Sequence, residues 1–202
     1  MRKFKFFMDF EKEEQWLQEM AKRGYQLESK SFGYKFKKAE PEDVTINIDY
    51  RTFKKKEDFI DYCTLFEDSG WKHIAGSKSS GTQYFQKIDE AGDDDIFSDK
   101  SSKAGKYKRY SEMFIQMAIC YFPILVALLT TETIDMGAIL NPKELFLTPG
   151  LWEMTGASFW GAFLFETPFA FFRGFATLLF PVSIILFLFF ALKAKMLYEE
   201  KK

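Results

Sequence analysis

The chain has one histidine, two cysteines and six prolines in 202 residues. A lone His73 leaves no second imidazole for a His-based metal site, and no Ser-His-Asp or Cys-His set is recognisable around it. Cys63 and Cys120 cannot form a disulfide scaffold, and no C-x-x-C or H-E-x-x-H pattern occurs. Cys120 lies in an uncharged apolar run and Cys63 on the face of a predicted helix, so free thiols are expected. No G-x-G-x-x-G or Walker A stretch is present, and Gly76–Ser77–Lys78–Ser79–Ser80–Gly81 reads as a hairpin loop. Asp93–Asp94–Asp95 lacks the spaced ligands and closing Glu of a calcium loop. The net charge of -1 supplies no pull toward nucleic acid, so no direct nucleic-acid binding is expected. These absences assign no catalytic, metal or cofactor residue, and a non-enzyme without cofactor is expected.

What is abundant is phenylalanine, 25 residues within an aromatic share of 19%. A mean hydropathy of -0.20 suits a soluble chain, but that average hides a boundary. Residues 1–110 carry 22 of the 28 Lys+Arg and 21 of the 29 Asp+Glu. Beyond it, Met113 to Thr131 and Gly174 to Leu192 are each 19 residues without a charge. At about 1.5 Å per residue such a run matches a bilayer core of ~30 Å. The second run lacks the wet face that a soluble core helix of this length keeps, and two transmembrane helices are predicted. Pro123 and Pro181 are tolerated in such helices.

No apolar leader region follows the start of the sequence, so residues 1–110 are expected to stay on the side of synthesis. Lys103, Lys106, Lys108 and Arg109 precede the first run, and Lys193, Lys195, Lys201 and Lys202 follow the second. Both termini are therefore predicted cytoplasmic, with the lipid bilayer as one partner. Between the spans, the aromatic segment 150–173 has three readings: an interfacial or re-entrant element, a third span broken near Glu166–Thr167–Pro168, or a folded extracytoplasmic loop. The first is favoured, because a third span would place the C-terminal lysines outside. Within and beside this region Glu166, Arg173 and Glu132 are the candidate functional residues, since ionisable groups near membrane segments are costly and often functional.

Residues 1–90 alternate strand and helix signals. Phe4, Phe6, Met8 and Phe10 alternate as a one-face-buried strand. Glu11 to Arg23 reads as a helix with Trp16, Leu17, Met20 and Ala21 on one face, acidic at its start and basic at its end. Gly24 follows as a left-handed cap. Tyr25, Leu27, Phe32, Tyr34 and Phe36 are strand material, with a bulge or turn near Ser29–Ser31. Val44 to Arg51 alternates cleanly, and a second helix spans about Lys55 to Ser69. Gly70, Trp71 to Ile74 and Gly81 to Ile88 complete the domain. The order helix, Gly, aromatic, strand thus occurs twice, and it predicts a ferredoxin-like α+β domain followed by a two-helix transmembrane hairpin. On the sheet face away from the helices, Lys3, Lys5, Thr45, Asn47, Asp49 and Arg51 form a candidate partner surface. Residues 91–110 are read as a charged linker before the membrane domain 111–202.

The stretches Lys3–Phe7 (K-F-K-F-F), Trp16–Leu27 (W-L-Q-E-M-A-K-R-G-Y-Q-L) and Ser69–Lys72 (S-G-W-K) resemble the bacterial "domain of unknown function 2812" family over roughly residues 1–110. The resemblance implies a small membrane protein, often encoded beside a PadR-like transcriptional regulator, and transfers no catalytic residue. The expected function is a non-enzymatic membrane regulator or sensor whose cytoplasmic domain binds a protein partner such as a transcription regulator. The alternative is a small transport or envelope-resistance component, acting as a homo-oligomer assembled through its spans.

Overall fold

The computed structural model describes residues 1–89, 94–131, 134 and 137–202. The chain divides into two compact units, Met1–Glu112 with Ala191–Lys202, and Met113–Phe190.

The first unit is built from two copies of one β-α-β-β motif. Its elements are β1 (Arg2–Lys3), α1 (Phe10–Lys22), β2 (Tyr25–Lys30) and β3 (Tyr34–Lys38), then β4 (Ile46–Tyr50), α2 (Lys56–Asp68), β5 (Trp71–Ala75) and β6 (Thr82–Lys87). Each copy makes its own three-stranded antiparallel sheet, ordered β1-β3-β2 and β4-β6-β5. A ferredoxin-like order would use four strands in one sheet. Here the last strand of each motif returns through a short loop and inserts between the other two, so each half completes a sheet locally. A register shift between Leu27 and Ser29 realises the bulge near Ser29. The sequence echo has a direct backbone cause: Gly24 and Gly70 adopt φ of 79° and 81°, left-handed values that end each helix and launch the next strand.

Helix α1 begins where the Asp9 side chain accepts the Glu11 amide at 3.1 Å. Its buried face is Phe10, Leu17, Met20 and Ala21, and it also includes Glu13 and Glu14. The helix packs against both β2 and β4, and α2 packs against β5. A second core gathers Tyr62, Trp71 and Phe85 with Phe53, Cys63 and Phe66 around them. The amino-terminal alternation has a different outcome from the expected strand. Met8 and Phe10 are buried, but Phe4 and Phe6 are 72% and 64% exposed, because only Arg2 and Lys3 pair with β3.

Helix α3 (Lys100–Thr130) starts inside the stretch read as a linker and continues without a break through the first apolar run. Its first turns belong to the first unit, where Ala104, Lys106 and Tyr107 are buried. Asp99 caps it, accepting the Ser102 amide at 2.9 Å.

In the second unit, α4 (Gly137–Leu140) and two short 3-10 turns (Pro142–Leu145 and Leu151–Glu153) lead to α5 (Gly156–Lys201). Segment 150–173 begins with the second of these turns. From Gly156 it is the first part of one 46-residue helix that passes through Pro168 and Pro181. The Thr167 hydroxyl donates back to the Phe163 carbonyl at 2.7 Å just before Pro168. The apolar runs of α3 and α5 are antiparallel: Phe114 meets Phe190 at 5.4 Å between ring centroids, and Tyr121 meets Phe180 at 5.6 Å. Both helices are long and apolar enough to cross a membrane. Their outer sides carry exposed apolar side chains, among them Ile119, Phe122, Ile185 and Leu192, which a helix in water does not leave uncovered over such a length.

Candidate functional site

The chemistry of the first unit is concentrated in buried ions. Glu13 and Glu14 follow the N-cap of α1, where their charge suits the helix dipole. They also fall four and three residues before Leu17, which turns both into the core; they are 3% and 6% exposed. A buried carboxylate needs partners. Glu13 Oε1 accepts the Tyr34 hydroxyl at 2.7 Å and the Tyr84 hydroxyl at 2.6 Å, one tyrosine from each sheet. Burial pushes the Glu13 carboxyl above its ordinary range, against the two tyrosine hydrogen bonds that pull it down. Burial and the adjacent carboxylate raise both tyrosines as well.

Glu14 takes a cation. Lys106, on the first turns of α3, reaches Glu14 Oε1 at 2.9 Å and the Ile48 carbonyl at 3.0 Å. The same carboxylate oxygen accepts the Ile48 amide at 2.8 Å. Both side chains are almost fully enclosed, with Lys106 1% exposed. Burial raises the Glu14 carboxyl, and Lys106 is the largest opposing influence.

One turn further along α3, Arg109 pairs with Asp49 and also donates to the Tyr50 carbonyl. Asp49 accepts the Tyr62 hydroxyl at 2.8 Å as well. Tyr107 donates to Asp9 at 2.7 Å, which ties α3 to the cap of α1. From the end of α5, Lys201 pairs with Glu11, and the Ser111 hydroxyl donates to the Ala191 carbonyl at 2.9 Å. The β-α-β-β pair thus holds the start of α3 and the end of α5 through ion pairs and hydrogen bonds. No buried side-chain donor or acceptor among the described residues lacks a partner.

This arrangement corrects the predicted partner face. Asn47 and Asp49 are 7% and 2% exposed, and every residue of β4 is buried. The face that alternation assigned to solvent is covered by the chain's own segment 94–110. Asn47 donates to the Asp94 carbonyl at 3.2 Å and Asp49 is taken by Arg109. Thr45 is half-buried, with its carbonyl accepting the Lys87 amide at 3.0 Å. Arg51 is exposed, its guanidinium 5.5 Å from the Tyr62 ring. Lys3 lies against Met20, and Lys5 sits 4.6 Å above the Phe7 ring. These six residues do not form one open surface.

The second unit holds the candidates Glu166 and Arg173. They meet at 2.9 Å, two turns apart on α5. Glu166 also accepts the Leu147 amide at 3.1 Å and the Thr148 hydroxyl, and Arg173 donates to the Leu145 carbonyl. Together they strap the 145–148 loop to the helix. Glu132 lies outside the described residues. His73 is half-buried: its Nε2 is 3.0 Å from Gln83 Oε1, and burial lowers its pKa, favouring the neutral ring.

Sequence reasoning missed Glu13, Glu14, Lys106 and Arg109. The available signal was the helical stripe Phe10, Glu13, Glu14, Leu17, Met20, Ala21, in which two carboxylates occupy apolar positions. A carboxylate there calls for a buried donor elsewhere in the chain.

No curated protein matches the chain, and no solved structure does. A family model described as a protein of unknown function (DUF2812) matches residues 9–119. That span runs from the cap of α1 into α3 and contains both buried ion pairs. By this match over more than half its length, the chain belongs to the DUF2812 family.

Proposed function

We propose that the protein is a non-enzymatic integral membrane regulator, with α3 and α5 crossing the bilayer and both termini in the cytoplasm. The observation that carries this reading is the way Lys106 and Arg109 are used. They stand on the same unbroken helix as the first apolar run, and they are the buried partners of Glu14 and Asp49. A tether needs no such plugs. A helix whose base completes the core of a folded domain can report its own displacement to that domain. Lys201 beside Glu11 puts the end of α5 on the same unit, as two crossings require.

The partner face in this reading is α2. Only Tyr62 of this helix is buried. Glu57, Asp61 and Asp68 share its outer side, with Ile60 and Leu65, 50% and 63% exposed, beside them. An acidic face with apolar anchors fits a basic, partly apolar surface on a protein such as a transcription regulator. A transport role would need Glu166 turned toward a pathway, whereas its carboxylate is engaged by Leu147, Thr148 and Arg173.

A photocrosslinking residue at Leu65 of the full chain, in its own host's membranes, is expected to trap one discrete protein. The adduct should fall severalfold in Asp61→Lys/Asp68→Lys. Absence of an adduct, or one indifferent to these charges, would remove the partner reading. Topology has a separate check. Lys201→Cys should resist a membrane-impermeant thiol reagent in intact cells and react after lysis; labelling from outside would overturn the two-span arrangement.

A further inference from the structure

The duplicated motif supplies its own control, and the two copies differ in surface. The strands of the first sheet carry six Lys or Arg against one carboxylate, Glu28. Those of the second carry Lys72 and Lys87 against Asp49. The fold therefore does not require the charge of the first sheet. The loops differ likewise. The β2–β3 turn raises Phe32, 97% exposed, where the β5–β6 loop is Gly76–Ser77–Lys78–Ser79–Ser80–Gly81. After β1, Phe4 is 72% exposed, whereas Phe53, after β4, packs on the second core.

These features share one side of the first sheet. Register places Arg2 opposite Lys35, whose ammonium makes an exposed pair with Glu28 at 2.8 Å, and Lys37 follows on the same face two residues on. The Phe4 ring lies over Gly33, where an added Cβ would come within 3.0 Å of it, so Phe4 and the Phe32 turn are adjacent. From there the chain leads through Met8 to Asp9 and Phe10. At that point Tyr107 bonds Asp9 and the Tyr110 ring packs on Phe10 at 5.1 Å. Tyr110 precedes the uncharged run that begins at Met113. The patch is thus joined to the part of the first unit from which α3 continues as an apolar helix.

We propose that this patch docks on the anionic headgroup surface of the bilayer, with Phe4 and Phe32 entering the interface and Arg2, Lys35 and Lys37 meeting the lipid phosphates. The inference rests on the membrane reading above. Exposed aromatic rings beside lysines are the composition that anionic lipid surfaces attract: rings favour the interfacial level, and cations are drawn by the negative surface potential within a Debye length. An acidic soluble protein is the competing occupant. The alternation of exposed rings with cations favours the lipid.

The full chain with Ser31→Cys carrying an environment-sensitive fluorophore, in a Cys63→Ser/Cys120→Ser background, is reconstituted in vesicles containing a headgroup spin-labelled quencher lipid. Ser79→Cys, in the matching loop of the second sheet, is the control. In phosphatidylcholine mixed with phosphatidylglycerol, quenching at Ser31→Cys should exceed that in phosphatidylcholine alone severalfold. It should fall in high salt and in Lys35→Glu/Lys37→Glu, while Ser79→Cys stays unquenched. Phe4→Ser/Phe32→Ser should reduce it at either salt concentration. Equal quenching in both lipids overturns the proposal. So does no quenching in either, with protection of the label on adding the host's soluble extract, which assigns the patch to an acidic protein. If the chain fails to float with the vesicles, the membrane reading itself has failed and the proposal falls with it.

Discussion

Lys106→Met is expected to be the most damaging single substitution in the first unit, at a cost of about 3–5 kcal/mol. The replacement has nearly the same length and leaves little cavity. What it leaves behind is Glu14, 6% exposed, with the Ile48 amide as its remaining donor. The cost has a pH signature. In the native protein burial already holds the Glu14 carboxyl above its ordinary value of 4.5, and Lys106 is the main influence restraining that rise. A carboxyl raised on folding favours the folded state below its unfolded pKa and loses that contribution as pH rises through the folded one. Removing Lys106 widens the gap upward. The deficit of Lys106→Met should therefore be smallest in acid and grow toward neutral pH. Thermal unfolding of the detergent-solubilised full chain across that range measures it. Glu14→Gln should recover much of the loss when combined with Lys106→Met, because no charge is then stranded. A flat pH profile, or no recovery in the double variant, would mean that the ion pair is not what binds α3 to the domain.

How much of this could be read in advance depended on whether the cause was local. Helices α1 and α2, the left-handed Gly24 and Gly70, the bulge after Leu27 and the doubling of the motif all follow from spacing and backbone preference, and the sequence reveals them. Phe4 and Phe6 alternate as well as any buried strand does. Their exposure depends on β1 ending at Lys3, and alternation contains no information about pairing. Asn47 and Asp49 read as wet for a similar reason: the segment that covers them comes from about 60 residues later for Arg109 on Asp49. Residues 91–110 look like a tether because their charges are dense. Lys103, Lys106 and Arg109 are charged because they meet Asp95, Glu14 and Asp49. Glu166 and Arg173 were legible as ionisable residues beside apolar runs, though not as a pair, because the one helix that carries both was not read there. The loop they hold was not, since its contribution is backbone amide and carbonyl.

Glu13 provides the second large effect, and here the charge and the hydrogen bonds oppose each other. Glu13→Leu fills similar space but strands the Tyr34 and Tyr84 hydroxyls, 1% and 0% exposed as residues, at about 1–3 kcal/mol for each unsatisfied group. Glu13→Gln keeps an oxygen for both hydroxyls and removes the buried charge. Its stability at neutral pH should equal or exceed that of the native chain. In acid the order changes, because the native carboxyl, raised by burial, contributes most below its unfolded value of 4.5 and progressively less as pH climbs through the folded one. The native and Gln chains should thus diverge with rising pH, the Gln chain gaining, while the Leu chain stays below both. Since Tyr34 and Tyr84 belong to different sheets, the Leu variant should also loosen one β-α-β-β copy against the other, seen as faster amide exchange in β3 and β6 together. If Glu13→Gln proved as unstable as Glu13→Leu, the negative charge itself, acting toward Lys30 and Lys106, would be what joins the two sheets.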